Sequence, residues 1–207
     1  MPVVAILIFK LSKKIMVLLD NKLYILNKSF IPEMQIKNKE KYDRMKVLSW
    51  KEAGYLGICA GNSVDYDYVH QFFNHYRDIG VNIRFIGFDR WNASSISEEM
   101  EKDNYSCFDI AQGALTFSSP MREFEILMLD KKIYHNNNDL LSWAVGNVVV
   151  IQDANANIRP DKLKASDKID PFISTLNALY LALKFKNKAD EKLEWLEADV
   201  IKPFLNR

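Results

Sequence analysis

Cysteine is scarce in this sequence: Cys59 and Cys107 lie far apart, with no Cys-x-x-Cys pair and no histidine at zinc-ligand spacing. A disulfide framework and a structural zinc site are therefore not supported, and a reduced, cytoplasmic setting is the default. An excess of one charge is missing as well, since 28 basic side chains stand against 27 acidic ones in 207 residues. Any attraction to nucleic acid must come from local clusters rather than from an overall field. Long hydrophobic runs are absent too. The apolar stretch Val3 to Phe9 has no basic residues ahead of it and no small-residue cleavage site behind it, which argues against a signal peptide. It falls far short of the roughly 20 residues that span a bilayer, so no membrane role is expected. Finally, there is no G-x-x-x-x-G-K-S/T, no G-x-G-x-x-G and no G-x-S-x-G. Phosphate-loop, dinucleotide and serine-hydrolase chemistry thus lack their local signatures.

What is present is a chain that is 48% hydrophobic, enough for a packed core in one large domain or two small ones. The runs VVAILIF, IMVLL and KLYIL are separated by polar turns, with Asp20-Asn21 between the last two, and predict an antiparallel meander. A helix is expected over 38–53, ending at Gly54, and a short strand over Tyr55 to Ala60. Val64, Tyr68, Phe72 and Tyr76 recur at spacing four and mark a helix that stops at Gly80, followed by the strand VNIRFIGF. Ser106 to Ile110 is a further strand, and Ser119-Pro120 is expected to open a helix as cap and first residue. After the strand NVVVIQDA comes a polar loop, NANIRPDKLKASDK, and then a helix starting at Asp170-Pro171. That last helix carries Ile169, Phe172, Ile173, Leu176, Tyr180 and Leu183 on one stripe and Asp170, Ser174 and Asn177 on another. Strands first, then alternating helices and strands, describe an α/β domain with a mixed sheet. The final residues form a charged amphipathic tail.

The chemistry concentrates in a few acids. In RFIGFDRWNASSISEE, residues 84–99, an apolar strand ends on Asp89, and Ser95 with Glu98 has the spacing of a capping box. Ligands of open α/β sheets bind at that strand edge, and an acid there needs a partner or an ion to offset its desolvation. An ion pair with Arg90 or a helix cap would serve equally. Asp170 before Pro171 is a good N-cap, and Asp153 after NVVVIQ is a plain turn acid or a third strand-end carboxylate. Converging carboxylates hold divalent cations through oxygen, and two such ions activate water in phosphodiester cleavage. His70 and His75 are five apart, off the spacing that places both on one helical face. His135, beside Asn136 to Asn138, is a loop residue that could meet a phosphate. Arg159, Lys162, Lys164 and Lys168 crowd the loop before Asp170, either as a phosphate-binding patch or as a solvated loop partly neutralised by Asp161 and Asp167. Trp91 is a packing residue or a base-stacking platform.

FDRWNA at 88–93, QG at 112–113 with SSP at 118–120, KKIYHNNNDLLSW at 131–143, NVVVIQDANANIRPDK at 147–162 and KIDPFISTLNAL at 168–179 occur in an order and spacing that resemble a known family. It is the C-terminal nuclease domain of the large terminase subunit of tailed bacteriophages, and the likeness runs from about residue 29 to 184. The resemblance implies a ribonuclease H-like fold, a mixed β-sheet flanked by helices, over residues 1–187, with the amphipathic helical tail at 188–207. It further implies an endonuclease dependent on magnesium or manganese, with a two-ion site, that cuts concatemeric double-stranded DNA during genome packaging in the cytoplasm of a bacterial host. Terminase small subunit and portal are the implied partners. By matching positions, Asp89 resembles the acid on the central strand and Asp170 the acid at the start of the final helix, with Trp91 and Asn92 in support. The family carries another metal-binding aspartate in a G-x-D-x-S type stretch ahead of the residues matching VVAILIF. Val3 to Lys10 holds no acid, and Asp20 lies in a turn that does not match it. The phosphate loop of the packaging ATPase is also missing, and position 174 is serine where alanine is usual. The expectation is weak or no cleavage by the chain as it stands; the alternatives are a truncated remnant that binds DNA or assembles, and an unrelated α/β phosphate-handling or interaction domain.

Overall fold

The structure, a computed structural model, describes residues 4–8, 22–37, 40–79, 81, 83–89 and 94–185. Strand β1 (Val4–Ile8) pairs antiparallel with β2 (Leu23–Pro32) from Val4 opposite Ser29 to Ile8 opposite Ile25. The meander expected here is seen in these two strands, while IMVLL lies outside the described residues. The other edge of β2 is shared by two parallel partners, β3 (Leu56–Cys59) and the short β6 (Ile133–Tyr134). Between β2 and β3 run α1 (Glu33–Lys37) and α2 (Lys41–Glu52). Helix α3 (Tyr66–Asp78) follows, with Asp65 as its cap accepting the Asp67 N–H.

A second, two-stranded sheet joins β4 (Ile86–Asp89) in parallel to β5 (Cys107–Ile110), with Asp89 opposite Ile110 and α4 (Ser94–Lys102) as the crossover. Ser94 already belongs to α4, so Ser95 falls inside the first turn rather than capping it. The remaining elements are α5 (Ala114–Leu129), α6 (Asp139–Gly146), the antiparallel hairpin of β7 (Val150–Gln152) and β8 (Ile158–Pro160), and α7 (Asp170–Lys184). Helix α7 lies across β1, β2 and β4 and so ties the two sheets together.

The alternation of β4 decides which way its acid faces. Ile86 and Phe88 pack with Phe30, Val69, Phe73, Met100 and Tyr105 on the side of α3 and α4. Phe85 packs on the opposite side, into the core built from α5, α6 and α7. Gly87 points the same way, and a Cβ there would collide with methyl groups of Ile110 and Leu181. The close approach of α7 to β4 therefore requires glycine.

Two helix starts differ from expectation. Helix α5 begins at Ala114 with Gly113 as N-cap, leaving Pro120 in its interior and buried. Phe117, Met121, Phe124 and Leu127 form one buried stripe that begins before the proline. At about 2 kcal/mol per buried side chain the stripe outweighs the roughly 3 kcal/mol cost of an interior proline. Helix α7 takes Ile169 as N-cap, with no side-chain cap hydrogen bond, so Asp170 is its first helical residue and not its cap. The loop NANIRPDK also proves to contain a strand, β8, whose pairing with β7 turns the expected apolar strand into an arm of a hairpin. The tail expected at 188–207 and the domain boundary at 187 lie outside the described residues.

Candidate functional site

Asp89 ends β4 half-buried, on the face of the strand that looks at α7. The register follows from two contacts. The Phe85 ring stacks on Phe185, with centroids 4.4 Å apart, and Gly87 meets Leu181, so strand and helix run in opposite directions. Two strand residues rise about 6.7 Å, the height of about four helical residues, which brings Asp89 level with Asn177. Asp170, Ser174, Asn177 and Leu181 share one face of α7. Asp170 stands two turns beyond Asn177, about 10 Å along the axis. Asp89 thus ends at the helix–strand contact, and Asp170 stands further along the same face of α7, where Asn27 of β2 holds the adjacent Pro171.

Asp170 is half-buried, and its carboxylate has no hydrogen bond or ion pair among the described residues; only its backbone carbonyl is engaged, by Ser174 Oγ at 3.2 Å. At the level of Asp89, Asn177 is buried and its Oδ1 has no hydrogen-bond partner among the described residues. Such an acceptor can be satisfied only by a cation or a donor. This residue was not legible as functional in the sequence, where it was one more position of a helical stripe. Asn27 of β2 was missed too. It is buried, and its Nδ2 donates to the Pro171 carbonyl at 3.3 Å, holding the first turn of α7 on the sheet. Asn138 extends this support by donating to the Asn27 carbonyl at 3.0 Å while its own Oδ1 caps α6 through Leu141 N–H.

The remaining candidates separate. Among the described residues no three His, Cys, Asp or Glu side chains gather to hold a metal, so Asp153 does not join Asp89 and Asp170. Its carboxylate instead closes the β7–β8 hairpin, accepting from Asn155 N–H and Asn157 N–H at 2.9 Å each and from Asn157 Nδ2 at 3.1 Å. These bonds, the side chain of Asn157 foremost, hold its carboxyl below the usual carboxylate range. His135 is half-buried rather than solvated, and its Nδ1 accepts the Asn138 N–H at 3.0 Å. Burial pushes its pKa down, so at neutral pH it lacks the charge that phosphate attraction requires. His70 is engaged by Asp103 at 2.8 Å. Trp91 and Asn92 lie outside the described residues.

Arg159, Lys162, Lys164 and Lys168 do sit together on the segment leading into α7, and none of them makes an ion pair among the described residues. Asp161 and Asp167, expected to neutralise them, spend their carboxylates on backbone N–H groups of Leu163, Lys164 and Lys168. A cavity of about 200 Å³ opens beside these cations, lined by Arg159, Lys162, Gln112, Phe117 and Ile173 among others. Lys162 Nζ donates to Gln112 Oε1 at 3.1 Å. Gln112 follows Ile110, the register partner of Asp89, by two residues, so the basic cavity stands at the strand edge where Asp89 ends.

A strand-end acid and a helix-start acid on one face, beside a basic edge, fit an α/β domain of the ribonuclease H-like type. A family model of the terminase large subunit endonuclease domain matches residues 10–185, and the chain belongs to that family. It is similar to Protein YmfN of Escherichia coli strain K12, at 25% identity over 154 residues, 73% of this chain and 34% of that protein. It is also similar to the terminase large subunit of Enterobacteria phage HK97, at 27% identity over 150 residues, 69% of this chain and 29% of that protein. The chain thus spans about a third of the length of these relatives. The crystal structure of the HK97 bacteriophage large terminase matches 87% of this chain and 37% of its own, with a TM-score of 0.72 at 23% identity, a likeness of fold. Among the described residues no helix is long and apolar enough to cross a membrane.

Proposed function

We propose that this chain is a metal-dependent DNA endonuclease domain that cuts concatemeric double-stranded viral DNA during genome packaging, in the cytoplasm of a phage host. One feature supports the reading: Asp89 ends β4 against α7, whose face also carries Asp170, and the Asp170 carboxylate has no hydrogen bond or ion pair among the described residues. The donor chemistry fits a hard divalent cation, because both acids offer oxygen and Asn177 Oδ1, at the level of Asp89, has no hydrogen-bond partner among the described residues. Magnesium or manganese, when bound, supplies Lewis-acid activation of water and stabilises the leaving oxygen. Asp89 and Asp170 hold it through their carboxylates, while Asn27 and Asn138 keep the first turn of α7 in place against β2. Arg159, Lys162, Lys164 and Lys168 take the DNA phosphates, fixing the duplex without reading its sequence. Terminase small subunit and portal are proposed as assembly partners on the family likeness alone.

A second reading is favoured by the count of donors. With two acids and no third among the described residues, a bound ion keeps several waters and loses affinity, so the domain would cut weakly and act mainly as a DNA-binding or assembly module. Plasmid nicking with added manganese separates the two. Slow nicking abolished by Asp89→Ala and by Asp170→Ala supports the nuclease; no nicking by the unmodified chain favours the binding module.

A further inference from the structure

We propose that Leu163 is a wedge that inserts between bases of the bound duplex next to the site of cutting, a role that rests on the DNA reading above. Leu163 is 97% exposed, the most exposed of the large apolar side chains among the described residues. Single exposed leucines are ordinary on protein surfaces. This one is held in water by a fixed turn. Asp161, only 7% exposed, anchors the turn at both ends, with its N–H on the Val149 carbonyl at 2.8 Å and its carbonyl accepting Ala165 N–H at 3.0 Å. Its Oδ1 accepts from Leu163 N–H at 3.0 Å and Lys164 N–H at 3.4 Å, so the backbone of the tip, and with it the position of the leucine Cα, is held by hydrogen bonds.

The neighbours of the leucine define what it meets. Lys162 and Lys164 flank it, exposed and without an ion pair among the described residues. Two cations on either side of an apolar tip, neither ion-paired among the described residues, match the repeat of a nucleic acid, phosphates outside and bases within. The tip is also anchored over the acid edge, since Lys162 is bonded to Gln112, two residues past the strand partner of Asp89. Apolar wedges of this kind unstack a base step and bend the duplex, exposing the backbone at that step. Leu163 acts here as a positioning residue: it fixes which phosphate lies at the acids, and touches no reacting atom itself.

The test uses short duplexes carrying 2-aminopurine at successive positions, with the whole chain and calcium in place of magnesium so that no strand is cut. Binding is expected to raise the fluorescence at one or two adjacent positions. Leu163→Ser, a change at an exposed side chain, removes the rise while leaving affinity within about threefold, because the phosphate contacts remain. The double change Lys162→Ala with Lys164→Ala lowers affinity by about tenfold or more. Tight binding with no rise at any position, or a rise unchanged by Leu163→Ser, overturns the wedge and leaves the DNA reading standing. Absence of any binding overturns both.

Discussion

Asp170 stands in the first turn of a helix whose dipole favours negative charge, and its carboxylate is satisfied by nothing else in the described protein. Asp170→Asn therefore removes only the dipole contribution, about 0.5 kcal/mol, so the urea midpoint is expected to stay almost unchanged while manganese affinity collapses. A large loss of stability would instead mark a structural acid. Asp153 behaves in the opposite sense. Its folded pKa is depressed by hydrogen bonds from Asn157 and Asn155, so its contribution to the hairpin is present above the ordinary value near 3.9 and disappears as pH falls through the lower folded value. Protection of the Asn155 and Asn157 amides, measured relative to intrinsic exchange, should fall in that acid range and hold above it, and Asp153→Asn should leave metal binding intact. In the sequence each acid had a plain structural role on offer, a helix cap for Asp170 and a turn for Asp153; what separates them is whether their oxygens are already used among the described residues.

At the scale of elements, the site depends on how closely α7 lies on β4. Gly87→Ala places a methyl against Ile110 and Leu181, and is expected to cost about 1–3 kcal/mol in a urea titration, with weakened metal binding as α7 is displaced. Asn27→Ala deletes the buried bond to the Pro171 carbonyl and is expected to cost a similar 1–3 kcal/mol. An unchanged urea midpoint in either variant would contradict the packing described. The apolar run of β4 and the period-3.6 stripe of α7 were legible because both elements bury apolar side chains. The start of α5 was not, because Pro120 signals a first turn locally while Phe117 is buried by distant partners. Nor was the pairing of β7 with β8, because β8 is three residues long, within a polar loop, with too little apolar alternation to announce it.

For the molecule as a whole, the neutral charge balance hides a local arrangement: four cations on the segment that enters α7, none of them ion-paired among the described residues. The slope of log affinity for duplex DNA against log salt should therefore be steep for so neutral a chain, and Lys162→Ala should flatten it by about 1. An unchanged slope would count against the basic edge. The order of strands in the two sheets, and with it the meeting of β4 and α7, is set by contacts between residues almost a hundred positions apart, which local periodicity does not encode. The family resemblance, rather than pattern, supplied the pairing of Asp89 with Asp170. Calorimetric titration of the chain with manganese tests that pairing most directly. The account predicts measurable binding that is lost in Asp89→Ala and equally in Asp170→Ala, with no further loss when both are changed; binding that survives either single change would contradict it.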